Sequence, residues 1–201
     1  MNIAIISGSH RTQGESRRIS NVLNDILTKE LNAKTTLLDL QELKLPMWDD
    51  GVWGKAERWQ KIWSPVSQQL QKADGFVVVS PEWSGMVPPG LKNFFVLCDA
   101  HELAHKPGLI VAVSSGMGGA YPVAELRMSS YKNTRICWMP DHVIIRTVTN
   151  IWKNPSTNPQ LDQEIRNRAV YHLKVLTAYA NALKTVRASG IIDYKQFPYG
   201  Q

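Results

Sequence analysis

Ser9, Ser16, Gly8 and Gly14, with the cations Arg11, Arg17 and Arg18, crowd into the stretch from Ser7 to Ser20. Hydroxyls and guanidinium forks are good phosphate ligands, and glycines let a backbone come close to an anion. The stretch sits between an apolar, β-branched run, Ile3–Ile6, and a run in which Ile19, Val22, Leu23, Ile26 and Leu27 recur at helical spacing. A strand turning sharply into a helix leaves backbone N–H groups unpaired at the positive end of the helix dipole. The chemistry suggested is a phosphate cradle. The alternative is an ordinary helix start, with Ser16 as N-cap and the arginines solvated.

A second candidate is His101-Glu102-Leu103-Ala104-His105. Two histidines at i and i+4 of one helix can bind zinc, with the glutamate as general base. Pro107 and Gly108 follow at once and no third ligand pattern appears, so a zinc hydrolase stays a remote alternative to histidines at a helix end. Three other motifs are missing. Gly8 and Gly14 do not make the G-x-G-x-x-G of dinucleotide-binding turns, so Asp39, at the end of the second strand, reads as a solvated or capping carboxylate. No Walker A ending is present. Neither Ser114 nor Ser115 has the glycine two positions earlier that a nucleophile elbow needs.

The elements around these residues alternate. Strands are expected at 2–6, 34–40, 75–80, 108–113 and 142–148, with helices between them and a long last helix over 161–186. A helix running from Leu91 to about His105 is part of this pattern. The strands are apolar runs without strict alternation, which implies a parallel sheet covered on both faces. Ligands of such sheets bind beyond the carboxyl ends of the strands. Three loops reach that edge: the Ser7–Ser20 loop, Pro81–Gly90, and Ser114–Gly119. Trp59 and Trp63 share a helix face with Val66 and Leu70 and are expected in the core, whereas Trp48 and Trp53 lie in the preceding loop.

The 201 residues suffice for one domain with a sizeable core. The net charge of +6 suggests anionic ligands, but the cations are scattered, which excludes a dedicated nucleic-acid surface. No signal peptide and no membrane span are expected. Cys98 and Cys137 form no CxxC, so neither a disulfide framework nor a zinc ribbon is expected, and a reducing cytoplasm is the expected location.

Taken together, Gly8-Ser9-His10-Arg11 with Arg18-Ile19, Pro81-Glu82-Trp83-Ser84-Gly85 with Pro89-Gly90-Leu91-Lys92-Asn93, and Ser115-Gly116-Met117-Gly118-Gly119 with Glu125-Leu126-Arg127 resemble the NADPH-dependent FMN reductase family, which includes azo-, quinone- and chromate-reducing members. Trp83 stands where that family usually has tyrosine, Ser84 where it has asparagine, and Gly14 where many members have serine. The resemblance implies a flavodoxin-like three-layer α/β sandwich with a five-stranded parallel sheet in the order 2-1-3-4-5. It implies one FMN-binding domain over 1–188, followed by a tail, 189–201, packed on the body or on a partner subunit.

The resemblance further implies that FMN is held by Ser9, His10, Arg11, Ser16, Arg17, Arg18 and Ile19, by Pro81, Glu82, Trp83, Ser84 and Gly85, and by Ser115, Gly116, Gly118 and Gly119. NADPH or NADH would be the donor and a small molecule the acceptor. Hydride chemistry belongs to the flavin, so no essential acid or base side chain is expected. A homodimer or homotetramer with the flavin near the interface is implied. Trp48, Trp53 and Trp83, together with Ile191, Ile192 and Phe197 of the tail, are the candidates for closing over it. The alternative in another class is a flavodoxin-like electron carrier without NAD(P)H turnover; such carriers are usually acidic, unlike this chain.

Overall fold

The computed structural model describes residues 1–199; Gly200 and Gln201, the end of the expected tail, lie outside the described residues. Five strands form one parallel sheet: β1 (Asn2–Ser7), β2 (Lys34–Asp39), β3 (Gly75–Pro81), β4 (Pro107–Val113) and β5 (Cys137–Ile145), in the order β2-β1-β3-β4-β5. Every residue of β3 and β4 is buried. Their continuous apolar sequences have no solvent-facing side to serve, and both faces are covered by helices.

The helices are α1 (Glu15–Asp25), α2 (Leu40–Leu43), α3 (Glu57–Lys72), α4 (Pro89–Leu97), α5 (Ala100–Leu103), α6 (Ala120–Ser129) and α7 (Pro159–Ala188). On one face Ile3, Ile5, Val77 and Leu109 meet Ile19 and Leu23 of α1 and Leu173 and Leu176 of α7. On the other, Ile6, Phe76 and Val78 meet Leu70 of α3, Phe94 of α4 and Leu126 of α6. Alternate residues of each strand feed the two cores, as the pleat requires. Phe76 and Phe94 are fully buried. Truncating either to alanine would cost about 3–5 kcal/mol through lost transfer energy and a cavity.

Three departures from the sequence reading have physical causes. The fifth strand starts at Cys137 rather than His142. Gly108 pairs with Trp138 but Ile110 with His142, so a bulge on this edge strand takes up Pro140. Proline cannot donate to the ladder and is tolerated there. The expected helix from Leu91 to His105 is broken: α4 ends at Leu97, and Asp99 starts α5 with a capping box, its side chain accepting from His101 N at 2.6 Å while Glu102 Oε2 accepts from Asp99 N at 2.9 Å. At the other end of the chain, α7 begins at Pro159 because Asn158 caps it.

Trp59 is buried, with its indole Nε1 donating to Asp49 Oδ1 at 3.0 Å, and Trp63 lies edge-on to Phe94 at 5.9 Å. The tryptophan stripe is core, as its spacing predicts. Lys106, just before β4, is buried too. Its Nζ donates to the carbonyls of Leu70, Gln71 and Glu102 at 2.8–3.0 Å, capping the end of α3. Burial lowers the pKa of this ammonium to about 8.

Beyond α7 the chain turns back at Gly190, and Tyr194 stacks on His105 at 6.4 Å, with the Arg135 guanidinium 4.8 Å from its ring. His105 and Arg135 precede β4 and β5, so this contact lies at the amino edge of the sheet. Ile191 and Phe197 are exposed. The tail touches the body through Tyr194 and through the Phe197 carbonyl, which accepts from Arg135, far from the loops after β1, β3 and β4. Within one chain it therefore forms no common patch with Trp48, Trp53 and Trp83.

Candidate functional site

The three loops meet at the carboxyl edge of the sheet, as parallel topology requires. Loop 8–14 follows β1, and Gly8 N donates to Val79 O of β3 at 2.8 Å, tying the turn to the sheet centre. Gly14, not Ser16, is the N-cap of α1, and no side chain caps that helix. Ser16 lies in the first turn, buried, and its hydroxyl has no hydrogen-bond partner. Ser7 and Ser20 also carry unpartnered buried hydroxyls, before the loop and one turn further along the helix. Arg11 N donates to Ser9 Oγ at 3.3 Å, whereas the N–H groups of Gln13, Glu15 and Ser16 have no acceptor among the described residues. A buried polar group without a partner is rare in folded proteins, so the Ser16 hydroxyl calls for one, while the N–H groups of Gln13 and Glu15, at the open helix start, are accessible to solvent or to an anion. Free N–H groups, an orphaned hydroxyl and the exposed Arg11 together suit a phosphate.

The other first-loop candidates are engaged elsewhere. Arg17 Nη1 pairs with Asp39 Oδ2 at 3.0 Å and with Glu42 Oε2 at 3.3 Å. Asp39 also caps α2, accepting from Gln41 N, so it is the capping carboxylate that its position suggests. Arg18 pairs with Glu15 at 2.5 Å and donates to the carbonyls of Val148, Ile151 and Trp152, binding α1 to the segment after β5. Ile19 is fully buried in the core.

The second loop leaves β3 at the buried Pro81. Trp83 and Met86 bridge as a hairpin through Ser84 and Gly85, both with positive φ, 51° and 74°. Two successive positive values mark a type I′ turn, which favours glycine at the second position. The His10 ring lies 4.6 Å from that of Trp83, edge to face, joining the first and second loops. The hairpin is held from below: Val87 N donates to Glu125 Oε2 at 2.7 Å, and Glu125 also pairs with Lys92 at 3.1 Å. Asn93 Oδ1 accepts from Trp48 N at 2.8 Å and its amide donates to Pro46 O at 2.7 Å, anchoring the 45–56 loop beside the site. Asn93 and Glu125 carry no ligand-facing role in the sequence reading. Both stand in the motifs quoted there, and that is the signal that marks them.

The third loop is fastened to the second by Glu82, whose Oε2 accepts the Gly119 N–H. Gly119 has φ 107°, a left-handed value that a side chain adopts only under strain. Its neighbours are pinned from the segment just after β5: Thr147 N donates to Gly116 O at 2.9 Å and Arg146 Nε to Met117 O at 2.7 Å. Ser115 and Gly116 are exposed. The structure thus brings together Ser9, His10, Arg11, Ser16, Glu82, Trp83, Ser84, Gly85, Ser115, Gly116, Gly118 and Gly119. Arg17 and Arg18 lie at the same edge but are held in ion pairs with Asp39 and Glu15, and Ile19 is in the core.

The His101–His105 motif lies elsewhere. α5 ends at Leu103 and His105 has φ 54°, so the two histidines do not share a helix face. Glu102 is buried, accepts from Ser67 Oγ at 2.5 Å, and burial pushes its carboxyl pKa upward. Among the described residues no group of three or more histidines, cysteines, aspartates or glutamates could hold a metal ion. No helix among them is long and apolar enough to cross a membrane.

The family model for NADPH-dependent FMN reductase matches residues 1–150. A quinone reductase from Escherichia coli K12 is 30% identical over 133 residues, covering 63% of this chain and 68% of the relative. A quinone reductase from Pseudomonas putida is 24% identical over 123 residues, covering 59% of this chain; the chain spans 63% of that relative's length. Among solved structures, the flavoenzyme NAD(P)H:(acceptor) oxidoreductase FerB from Paracoccus denitrificans superposes with a TM-score of 0.68 at 18% identity, covering 92% of this chain and 97% of its own. The strand order and the flanking helices are those of the flavodoxin-like fold. With three loops converging on a phosphate-ready helix start and a match over three quarters of its length, the chain belongs to the NADPH-dependent FMN reductase family.

Proposed function

We propose that this chain is an FMN-dependent oxidoreductase that takes electrons from NADPH or NADH and delivers them, two at a time, to a quinone, azo or flavin acceptor. The observation that carries the reading is the unpartnered Ser16 hydroxyl, buried at the start of α1 beside free backbone N–H groups. Arg11, Ser9 and Ser16 are the residues for the FMN phosphate. Glu82, Trp83, Ser84 and Gly85, with Ser115, Gly116, Gly118 and Gly119, flank the place of the ring. Bound FMN supplies the hydride chemistry; the protein binds it, orients it and limits access to it. Arg17 and Arg18 shape the cradle through their ion pairs rather than by touching the phosphate.

Residues 1–188 are the binding body in this reading, and the pairing of second copies completes it. Met47, Trp53, Met86, Met117 and Tyr121 are 55–77% exposed around the three loops. So much uncovered apolar surface beside one site favours a homodimer or homotetramer. Cys98 and Cys137 are free thiols, which suits a reducing cytoplasm.

Purified protein should carry flavin absorbance near about 450 nm, or gain it on adding FMN, because the cofactor brings the chromophore. It should then oxidise NADPH when a quinone is in excess. Absence of FMN binding by calorimetry would overturn the reading. FMN binding without NAD(P)H oxidation would favour an electron carrier instead.

A further inference from the structure

Two-electron reduction of a quinone adds a hydride and a proton. The hydride is the flavin's part in the proposed function. The proton that completes the second hydroxyl needs a donor at the carboxyl edge of the sheet. An imidazole is the side chain that gives and retakes protons near neutral pH. Of the five histidines, His101 and His105 lie against Tyr194 at the amino edge, and His142 and His172 line a cavity between β5 and α7. His10 is the one among the three loops.

Its ring meets Trp83 edge to face, with centroids 4.6 Å apart, and Trp83 flanks the proposed ring site. Behind the imidazole lies Gly90, the second residue of α4. A Cβ built there would stand 2.7 Å from His10 Nδ1 and 3.5 Å from its Cε1. The missing side chain makes room for the ring, sets Nδ1 against α4 and leaves Nε2 on the opposite side. His10 is exposed, so water can return a proton between turnovers. It also lines a cavity of about 200 Å³ with Leu45, Met47 and Pro89, apolar surface for the edge of an acceptor ring.

The charged groups on the elements around His10 are Arg11, next in the chain, Lys44, on the wall of that cavity, and Glu82 of the second loop. A guanidinium keeps its protons. The Glu82 carboxylate is engaged as an acceptor by Gly119 N–H. Tyr121 stands at the other side of the hairpin, its ring 3.9 Å from a Cβ built on Gly85, but a phenol is the weaker acid.

We propose that His10 is the proton donor to the acceptor in quinone reduction. Its imidazolium gives the proton to the quinone oxygen left negative when the hydride equivalent arrives, the N–H bond breaking as the O–H bond forms. The neutral ring then takes a proton from water. The electrons come from NAD(P)H, so the proposal rests on the function proposed above.

The test follows reoxidation of the FMN-loaded, NADPH-reduced protein by stopped flow, per bound FMN, with two acceptors. 1,4-Naphthoquinone takes protons; ferricyanide takes an electron and no proton. His10→Gln should lower the ratio of the quinone rate to the ferricyanide rate by at least about tenfold, since general acid catalysis contributes about 10²–10⁴-fold and water replaces part of it. His10→Ala should show the same loss, and added imidazole should restore the quinone rate. Tyr121→Phe should leave the ratio where it is. Calorimetry without turnover is the second readout. On binding the anion of 2-hydroxy-1,4-naphthoquinone slightly above neutral pH, the oxidised protein should take up a proton, seen as a heat that depends on the ionisation enthalpy of the buffer. His10→Gln should lose that dependence.

A wild-type ratio in His10→Gln, a loss that imidazole does not restore, a ratio that falls in Tyr121→Phe instead, or variants that no longer hold FMN would each overturn the proposal. A wild type that neither NADPH nor NADH can reduce would sink the proposed function itself, and the role of His10 with it.

Discussion

The carboxylate of Glu82, at the end of β3, accepts the backbone N–H of Gly119, at the start of α6. One side chain thereby sets the spacing of two loops that flank the proposed ring site, without being asked to move a proton.

Glu82→Ala should loosen the third loop and weaken FMN by about tenfold, because a charged acceptor contributes about 1.5–3 kcal/mol and part of it returns through water. Glu82→Gln keeps an amide oxygen at the same reach and should retain most of the affinity. Quenching of flavin fluorescence on titration measures both. Equal loss in the two variants would mean that charge, not loop spacing, is what FMN reads.

Arg11→Ala should weaken FMN by roughly 10- to 100-fold while riboflavin binding changes little, since FMN alone carries the phosphate. Calorimetric titration with the two flavins decides it, and parallel losses would place Arg11 away from the phosphate.

Arg18→Met should cost about 1–3 kcal/mol of folding stability. The change strands the carbonyls of Val148, Ile151 and Trp152 and the Glu15 carboxylate in a half-buried corner. Urea unfolding gives the number, and a wild-type midpoint would show that water replaces the fork without penalty.

Stability should fall as pH drops below about 6.5. Burial holds His105, His142 and His172 below the ordinary imidazole value of 6.5. In that window the unfolded chain takes up protons before the folded one, so the native state loses ground as pH falls through the folded values. Thermal melts between pH 5 and 8, roughly, should show this slope, and His172→Gln should flatten it. A slope identical to wild type would remove His172 from the account.

Changing His101 and His105 together to Gln should leave NADPH-driven quinone reduction close to wild type, and added zinc should have no effect. Their rings lie against Tyr194 at the far edge of the sheet. Loss of activity rescued by zinc would contradict this assignment.

The sheet could be read almost entirely from the sequence, because five apolar runs without alternation have few alternatives to a covered parallel sheet. The edge strand was harder. Pro140 hides the first half of β5, since a proline inside a strand is tolerated at a bulge that periodicity does not reveal. The break between α4 and α5 was invisible for a similar reason: the capping box at Asp99 is local chemistry inside a pattern that stays apolar. At the site, Ser16, Arg11 and the glycine turns follow from residue type. Arg17 and Arg18 do not. Their partners, Asp39 and Val148, lie 22 and 130 residues away, and only the fold brings them to the helix start.

Lys106, enclosed by three carbonyl oxygens beneath α3, has a use in the laboratory. An amine reagent cannot reach it while the corner formed by α3, α5 and β4 is closed, whereas the exposed lysines Lys29 and Lys61 react freely. Its rate of modification under native conditions is therefore a clock for the opening of that corner, readable peptide by peptide in a mass spectrum, with the surface lysines as the internal standard.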